Sequence, residues 1–240
     1  MYRVTGVLVH PRSTMAEVAK HPSFITTWAV VLLAAAVCGG LLLSTQVGRQ
    51  ALVDERVRVT EGLGQRVDDA EYARLEADPP VSIYLTSGGR LLLTPPITLA
   101  VAAGVMLFGR MDGVRLSFLT ALAIVVHATV VLALQQVIAT PLHYVHESLT
   151  SPTTIAGLLP IFDEGSWPSR LLGSIDVFGL WWMWLVSLGL ASAAGTAASL
   201  DDTRGNGERS RSARRYLWRL MAVYVGVAAI VAAVFAVLGS

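Results

Sequence analysis

Lysine is almost missing from this chain. Lys20 is the only one, and every other basic residue apart from histidine is arginine. A P-loop needs a Gly-rich loop ending in Lys followed by Ser or Thr. Lys20 sits between Ala19 and His21, so that phosphate grip is excluded. Cysteine is equally scarce: Cys38 stands alone inside an apolar run, which rules out an internal disulfide and any Cys-x-x-Cys site. Charge of either sign is thin, at 15% against the about 25% usual in soluble domains. The net charge of +1 gives no basic face for nucleic acid, because acids offset the arginines along the chain.

What the sequence does have is apolar length: 54% of its 240 residues are hydrophobic. Five stretches, at about 24–45, 91–109, 117–140, 176–199 and 216–238, are long enough to cross the roughly 30 Å hydrocarbon core of a bilayer. The pattern predicts an all-α integral membrane protein with five transmembrane helices, forming one membrane domain over residues 24–240. The first stretch exceeds the apolar region of a secretory signal, so it is expected to stay as a membrane helix. Pro95 and Pro96 are expected in the first turn of the second span, where a missing N–H costs little. Pro141 is expected to stop the third.

Between the spans, basic and acidic segments alternate. Residues 1–23 are mildly basic. Thr14 followed by Glu17 predicts a capping box that opens a short helix ended by Pro22. Met15, Val18 and Ala19 share one face of that helix, which suits an amphipathic segment lying on the membrane surface. The main insert, residues 46–90, holds six arginines against eight acidic residues. Ala51, Leu52, Val53, Val57 and Val59 predict one helix, broken at Gly62 and Gly64. Asp68 or Asp69 opens a second through Ala77, giving a helical hairpin outside the bilayer. The connector 110–116 and the loop 201–215 are arginine-rich, whereas the insert 141–175 is mildly acidic. By the positive-inside rule, the N-terminus and basic segments face the cytoplasm, and both inserts and the C-terminus face outward. The expected location is the cytoplasmic (inner) membrane.

The fourth stretch has the strongest packing pattern. Ser187, Ala191, Gly195 and Ser199 recur every fourth residue on one nearly bulk-free helical face, and Gly189 belongs to a second small row beside it. In lipid such a face lets another backbone approach closely. Trp181, Trp182 and Trp184 crowd its other end, where amphipathic rings favour the interface.

Chemistry-bearing patterns are sparse. The central part of the five spans contains no Asp, Glu, Lys or Arg, which counts against an ion-coupled transporter. His127, mid-way along the third span, is expected to make an interhelical hydrogen bond. His143 and His146 lie three apart, but the following residues fail the H-E-x-x-H zinc-protease pattern. No nucleophile elbow is present, and the residues point to no catalytic group, cofactor or metal.

Several motifs nevertheless recur together. Near the start stand Gly6-Val7-Leu8, Pro11, Thr14-Met15, Val18 and Pro22. Gly113-x-x-x-Ser117-Phe118 leads into the third span. Asp176-x-Phe178-x-x-Trp181, then Ser187-Leu188-Gly189-Leu190, opens the fourth. Over nearly its whole length the chain resembles the Yip-domain family of membrane proteins, named for interaction with Rab-type GTPases, in its prokaryotic branch. The resemblance implies a five-helix bundle and a non-enzymatic role exercised through membrane partners, and it names no catalytic residues. Eukaryotic members are linked to vesicle traffic and membrane shaping, and bacterial members to ABC-type export systems. Many members carry Tyr-Ala and then a proline in the third span, where this chain has His127-Ala128 followed by Thr129.

The expected function is therefore a membrane adaptor or scaffold in contact with membrane lipids and with another membrane protein, an ABC-type transporter or a second copy. The alternative is a neutral-solute or lipid transporter or channel lined by Pro95, Pro96, His127, Gln135 and Gln136.

Overall fold

Pro11 sets the shape of the N-terminus. The computed structural model describes residues 2–62, 64–77, 81–145, 152–158, 172–198, 214–222 and 224–226. Helix α1 (Tyr2–Val9) stops before Pro11, and α2 (Pro11–Lys20) starts on it. Proline suits the first helical position, because the N–H it lacks has no intrahelical partner there. Thr14 consequently lies inside α2, where its hydroxyl donates to the His10 carbonyl at 2.9 Å. Glu17 reaches Arg3 at 3.5 Å instead. The capping box expected at Thr14 and Glu17 is not formed, since Pro11 has already opened the helix.

Next come α3 (Ile25–Ser44), α4 (Gln46–Gly62) and α5 (Asp69–Ala77). Asp68 opens α5 by accepting from the Glu71 N–H at 2.7 Å. Helix α6 runs from Val81 to Met111, so it starts well ahead of the stretch expected to span. Pro95 and Pro96 are therefore interior to it and not in its first turn. Each proline removes one i→i−4 hydrogen bond; the helix formed ahead of them from Val81, nearly four turns at about 3.6 residues each, keeps the segment helical. Helices α7 (Phe118–Ala128) and α8 (Val130–Val145) share the third span and meet at Thr129. No proline is needed for that break. The Thr129 hydroxyl donates to the Val126 carbonyl at 2.7 Å, a local back-bond of the kind that bends helices. Pro141, expected as a stop, lies inside α8, where the preceding Thr140 hydroxyl donates to the Gln136 carbonyl at 2.7 Å. A short α9 (Ile155–Leu158) and the long α10 (Val177–Ala198) follow, and residues 214–222 are helical.

Among the described residues, four helical stretches are long and apolar enough to cross a membrane: Ile25–Ser44, Leu92–Met111, Phe118–Val145 (α7 with α8) and Val177–Gly195. Most of the expected fifth span and of the loop 201–215 lies outside the described residues.

The chain divides into two compact units. The first comprises Met1–Leu33, Leu93–Leu134 and Phe178–Tyr224. Its core gathers Val7, Met15 and Val18 with a nearly continuous run from Ala121 to Val131 and with Leu185, Val186 and Leu190. Helices α1 and α2 pack on each other and on α7. Met15 and Val18 are fully buried there, so the apolar face of α2 rests on its own protein and not in lipid.

The second unit comprises Ala34–Leu92, Gln135–Val177 and Val225–Ser240. In it, α4 and α5 pack through Leu52 and Val53 against Leu43 and Leu75. The Tyr72 hydroxyl donates to Asp54 at 2.5 Å and accepts from Gln50 at 3.0 Å. The carboxylate beside it holds the Tyr72 proton on above the ordinary value, with burial adding in the same direction.

Candidate functional site

Ser187, Gly189 and Ala191 of α10 face inward. Ser187 is fully buried, and its hydroxyl donates to the Met183 carbonyl at 2.7 Å within the same helix, so this hydroxyl is satisfied without a partner from another helix. Gly189 is buried against α7. A Cβ there would lie 2.9 Å from Ile124 Cγ1 and nearer still to Cγ2, so only hydrogen fits between the helices. Ala191 is buried and Gly195 half-buried, whereas Ser199 lies outside the described residues. Apolar helices gain little from one another in lipid by escaping water. Close van der Waals approach across small residues therefore supplies the adhesion.

The crossing has a polar pin on α7. His127 Nδ1 lies 2.8 Å from the Ala123 carbonyl, and Nε2 lies 3.1 Å from Thr27 Oγ1 on α3. A carbonyl only accepts, so Nδ1 carries the proton; in the neutral ring Nε2 then accepts from the Thr27 hydroxyl. This is the interhelical bond expected of His127. With the ring fully buried and both nitrogens engaged, it lines no path. Gln135 is similarly occupied in the second unit, where it donates to Thr153 and to Asp176, each at 2.8 Å. Thr153 also donates to Asp176, and the Thr154–Asp176 bridge fixes the two strands of backbone beside each other. Asp176 thus ties the approach to α10 to the end of the third span.

The remaining motif residues have equally mechanical places. At Gly6 a Cβ would lie 2.6 Å from Thr14 Oγ1, so glycine lets α1 fold back on α2. Pro11 starts α2, and Pro22 follows its end. Phe178 and Trp181 lie with ring centroids 6.2 Å apart and pack with Trp182 and Trp184 against the core.

Sequence reasoning placed less weight on the connector between α6 and α7, whose construction is tight. The Gly113 N–H donates to the Arg110 carbonyl at 3.0 Å and the Val114 N–H to the Gly109 carbonyl at 2.9 Å. That pair is a Schellman stop, and it requires the left-handed backbone that Gly113 adopts at φ 78°. Ser117 then caps α7, accepting from the Thr120 N–H at 3.1 Å. The motif Gly113-x-x-x-Ser117 reads physically as one helix stop and the next helix start. An ion pair between Asp112 and Arg219 fastens the connector to the helical segment at 214–222. Phe108 and Tyr216 add an edge contact beside it, with centroids 6.3 Å apart. Among the described residues, no three His, Cys, Asp or Glu side chains gather as a metal site. His146 lies outside them.

The family model for the Yip1 domain matches residues 5–204. The chain belongs to the Yip1 domain family. No curated protein and no solved structure matches it. The matched range runs from α1 past the end of α10, so the helix stop at Gly113, the His127 pin and the Gly189 crossing all lie within the Yip1 domain. With four helices fit to cross a bilayer, the protein is a multi-pass membrane protein.

Proposed function

We propose that this Yip1 protein is a non-enzymatic membrane adaptor of the prokaryotic branch, assisting an ABC-type export system or organising membrane components. The observation that carries the reading is the use made of its polar interior groups. Within the candidate spans the ionisable side chains are few, and His127 is committed at both ring nitrogens. Transport coupled to ions needs ionisable groups at depth that change partners. An adaptor needs only a rigid scaffold that presents surfaces, which is what packed helices and capped turns provide. In this reading residues 216–238 complete a fifth span. The N-terminus lies in the cytoplasm, residues 46–90 form an extracytoplasmic helical insert and the chain ends outside.

The test is cross-linking in intact cells, then purification in mild detergent and mass spectrometry. Stoichiometric recovery of an ABC-type ATPase or permease with the tagged protein, and reciprocal recovery from the tagged transporter, supports the adaptor. Solute or lipid flux in liposomes containing the pure protein alone would overturn it in favour of a transporter.

A further inference from the structure

The α6–α7 connector has a feature that its role as a turn does not require. Along residues 114–117 the chain alternates: Val114 and Leu116 are buried in the core of the first unit, whereas Arg115 and Ser117 are exposed. Two apolar pegs thus hold the connector down and present Arg115 outward. Arg110, the next-to-last residue of α6, is exposed as well. Arg110, Gly113, Val114, Arg115, Leu116 and Ser117 line one shallow recess of about 560 Å³.

The charge around that recess is unbalanced. The carboxylate in the same connector, Asp112, does not line it and is paired with Arg219. Neither the Arg110 nor the Arg115 side chain has a hydrogen bond or ion pair among the described residues. Elsewhere Arg3 and Arg58 are both matched with glutamates. Two guanidinium groups without partners among the described residues therefore line a concave surface between the ends of two candidate spans. That position puts the recess at a bilayer surface whichever way the protein is inserted.

We infer that this recess binds a phosphate group, as carried by an anionic phospholipid headgroup or by a soluble phosphate. The arginine side chain is a planar fork of N–H donors that fits phosphate oxygens in pairs, and it stays charged at any physiological pH. Ser117, the cap of α7, lines the same recess, and the positive end of that helix dipole adds to the attraction for an anion. The pinned backbone at Val114 and Leu116 fixes the connector between the two arginines, so little ordering opposes binding. The inference is independent of the adaptor reading, since a phosphate site at the bilayer surface is compatible with a scaffold and with a transporter alike.

The experiment uses the full chain purified in mild detergent. Phosphatidylglycerol and phosphatidylcholine are titrated separately, and bound lipid is read by native mass spectrometry. Wild type is expected to take phosphatidylglycerol in preference to phosphatidylcholine. Arg110→Gln with Arg115→Gln should weaken that binding by about fivefold per arginine, or about thirtyfold together. Restoring charge with Arg110→Lys and Arg115→Lys should recover most of it, whereas equal charge removal at Arg66 and Arg74 should change nothing. Inorganic phosphate is the second arm. Resistance of bound phosphatidylglycerol to millimolar phosphate assigns the site to a lipid headgroup, and displacement assigns it to a soluble phosphate. Absence of any preference for phosphatidylglycerol in wild type overturns the inference, as does unchanged binding in the double glutamine variant. If that variant does not fold, Arg115→Gln alone carries the comparison.

Discussion

Gly189→Ala is the smallest change that probes how span four is held. The added methyl would meet Ile124, which is fully buried. Forcing a methyl into a packed interior typically costs about 1–3 kcal/mol. Against this, alanine is favoured over glycine in a helix by up to about 1 kcal/mol. Overpacking wins, and a net loss of about 1–2 kcal/mol is expected. The partner change separates contact from propensity. Ile124→Ala alone should cost about 2–5 kcal/mol by leaving a cavity. In the Ile124→Ala background the methyl at 189 has room, so Gly189→Ala should become neutral or stabilising. The resulting coupling is about 2 kcal/mol, well above the scatter of independent sites. Equilibrium unfolding of the purified protein in mixed micelles, followed by tryptophan fluorescence, measures all four corners of the cycle. A Gly189→Ala protein as stable as wild type, or a coupling near zero, would refute the close crossing of α7 and α10.

Other parts of the scaffold yield to similar tests. Ala191→Leu should lower the folded yield in detergent, because the position is buried within the chain; normal yield with altered oligomer size would place that face outward instead. Thr27→Val leaves His127 Nε2 without its donor and should cost about 1 kcal/mol, with Thr27→Ser near wild type, by the same unfolding assay. Gly113→Ala forces a side chain into the left-handed region and should cost about 1 kcal/mol, seen as faster proteolysis at the connector. Tyr72 is the pH probe. Its folded pKa is raised, so the Asp54 bond stabilises the α4–α5 pair below the unfolded value of 10.0 and is lost as pH rises through the folded one. The ultraviolet titration of wild type minus Tyr72→Phe should therefore reach its midpoint above 10.0, and Asp54→Asn should bring it back down.

Periodicity and length made much of this legible. The spans at 24–45 and 117–140 correspond to α3 and to α7 with α8, because long charge-free runs have few other uses. The interhelical role of His127 followed from its being the one titratable side chain at depth. Local signals misled where two rules compete. Thr14 and Glu17 have the spacing of a capping box, but Pro11 fixes φ three residues earlier and claims the helix start. Pro95, Pro96 and Pro141 carry the usual signal of a helix boundary, which holds for free chain ends; inside longer helices neighbouring turns hold them. The inward direction of the α10 small face was not legible at all. Spacing says which residues share a face, but not which neighbour lies opposite, and that depended on Ile124 and Gly189 coming together from sixty-five positions apart.

That inward direction changes where an adaptor would present itself. Ser187, Gly189 and Ala191 are covered by this chain, so these three close-packing residues of span four hold the scaffold. The amphipathic α2 has likewise turned Met15 and Val18 onto the core, so it is a strap across the bundle. Exposed apolar side chains do persist in rows on α3, at Leu33, Val37 and Leu41, and on α6, at Leu92, Leu93 and Ile97. In a bilayer such rows need no explanation beyond lipid. Charge at the membrane surface is different, because water and salt weaken it unless geometry concentrates it. The connector between α6 and α7 provides that geometry through a glycine stop, two apolar pegs and a serine cap. The same Gly113-x-x-x-Ser117 motif that pointed to the family therefore does more than turn the chain: it holds Arg110 and Arg115 on either side of one recess.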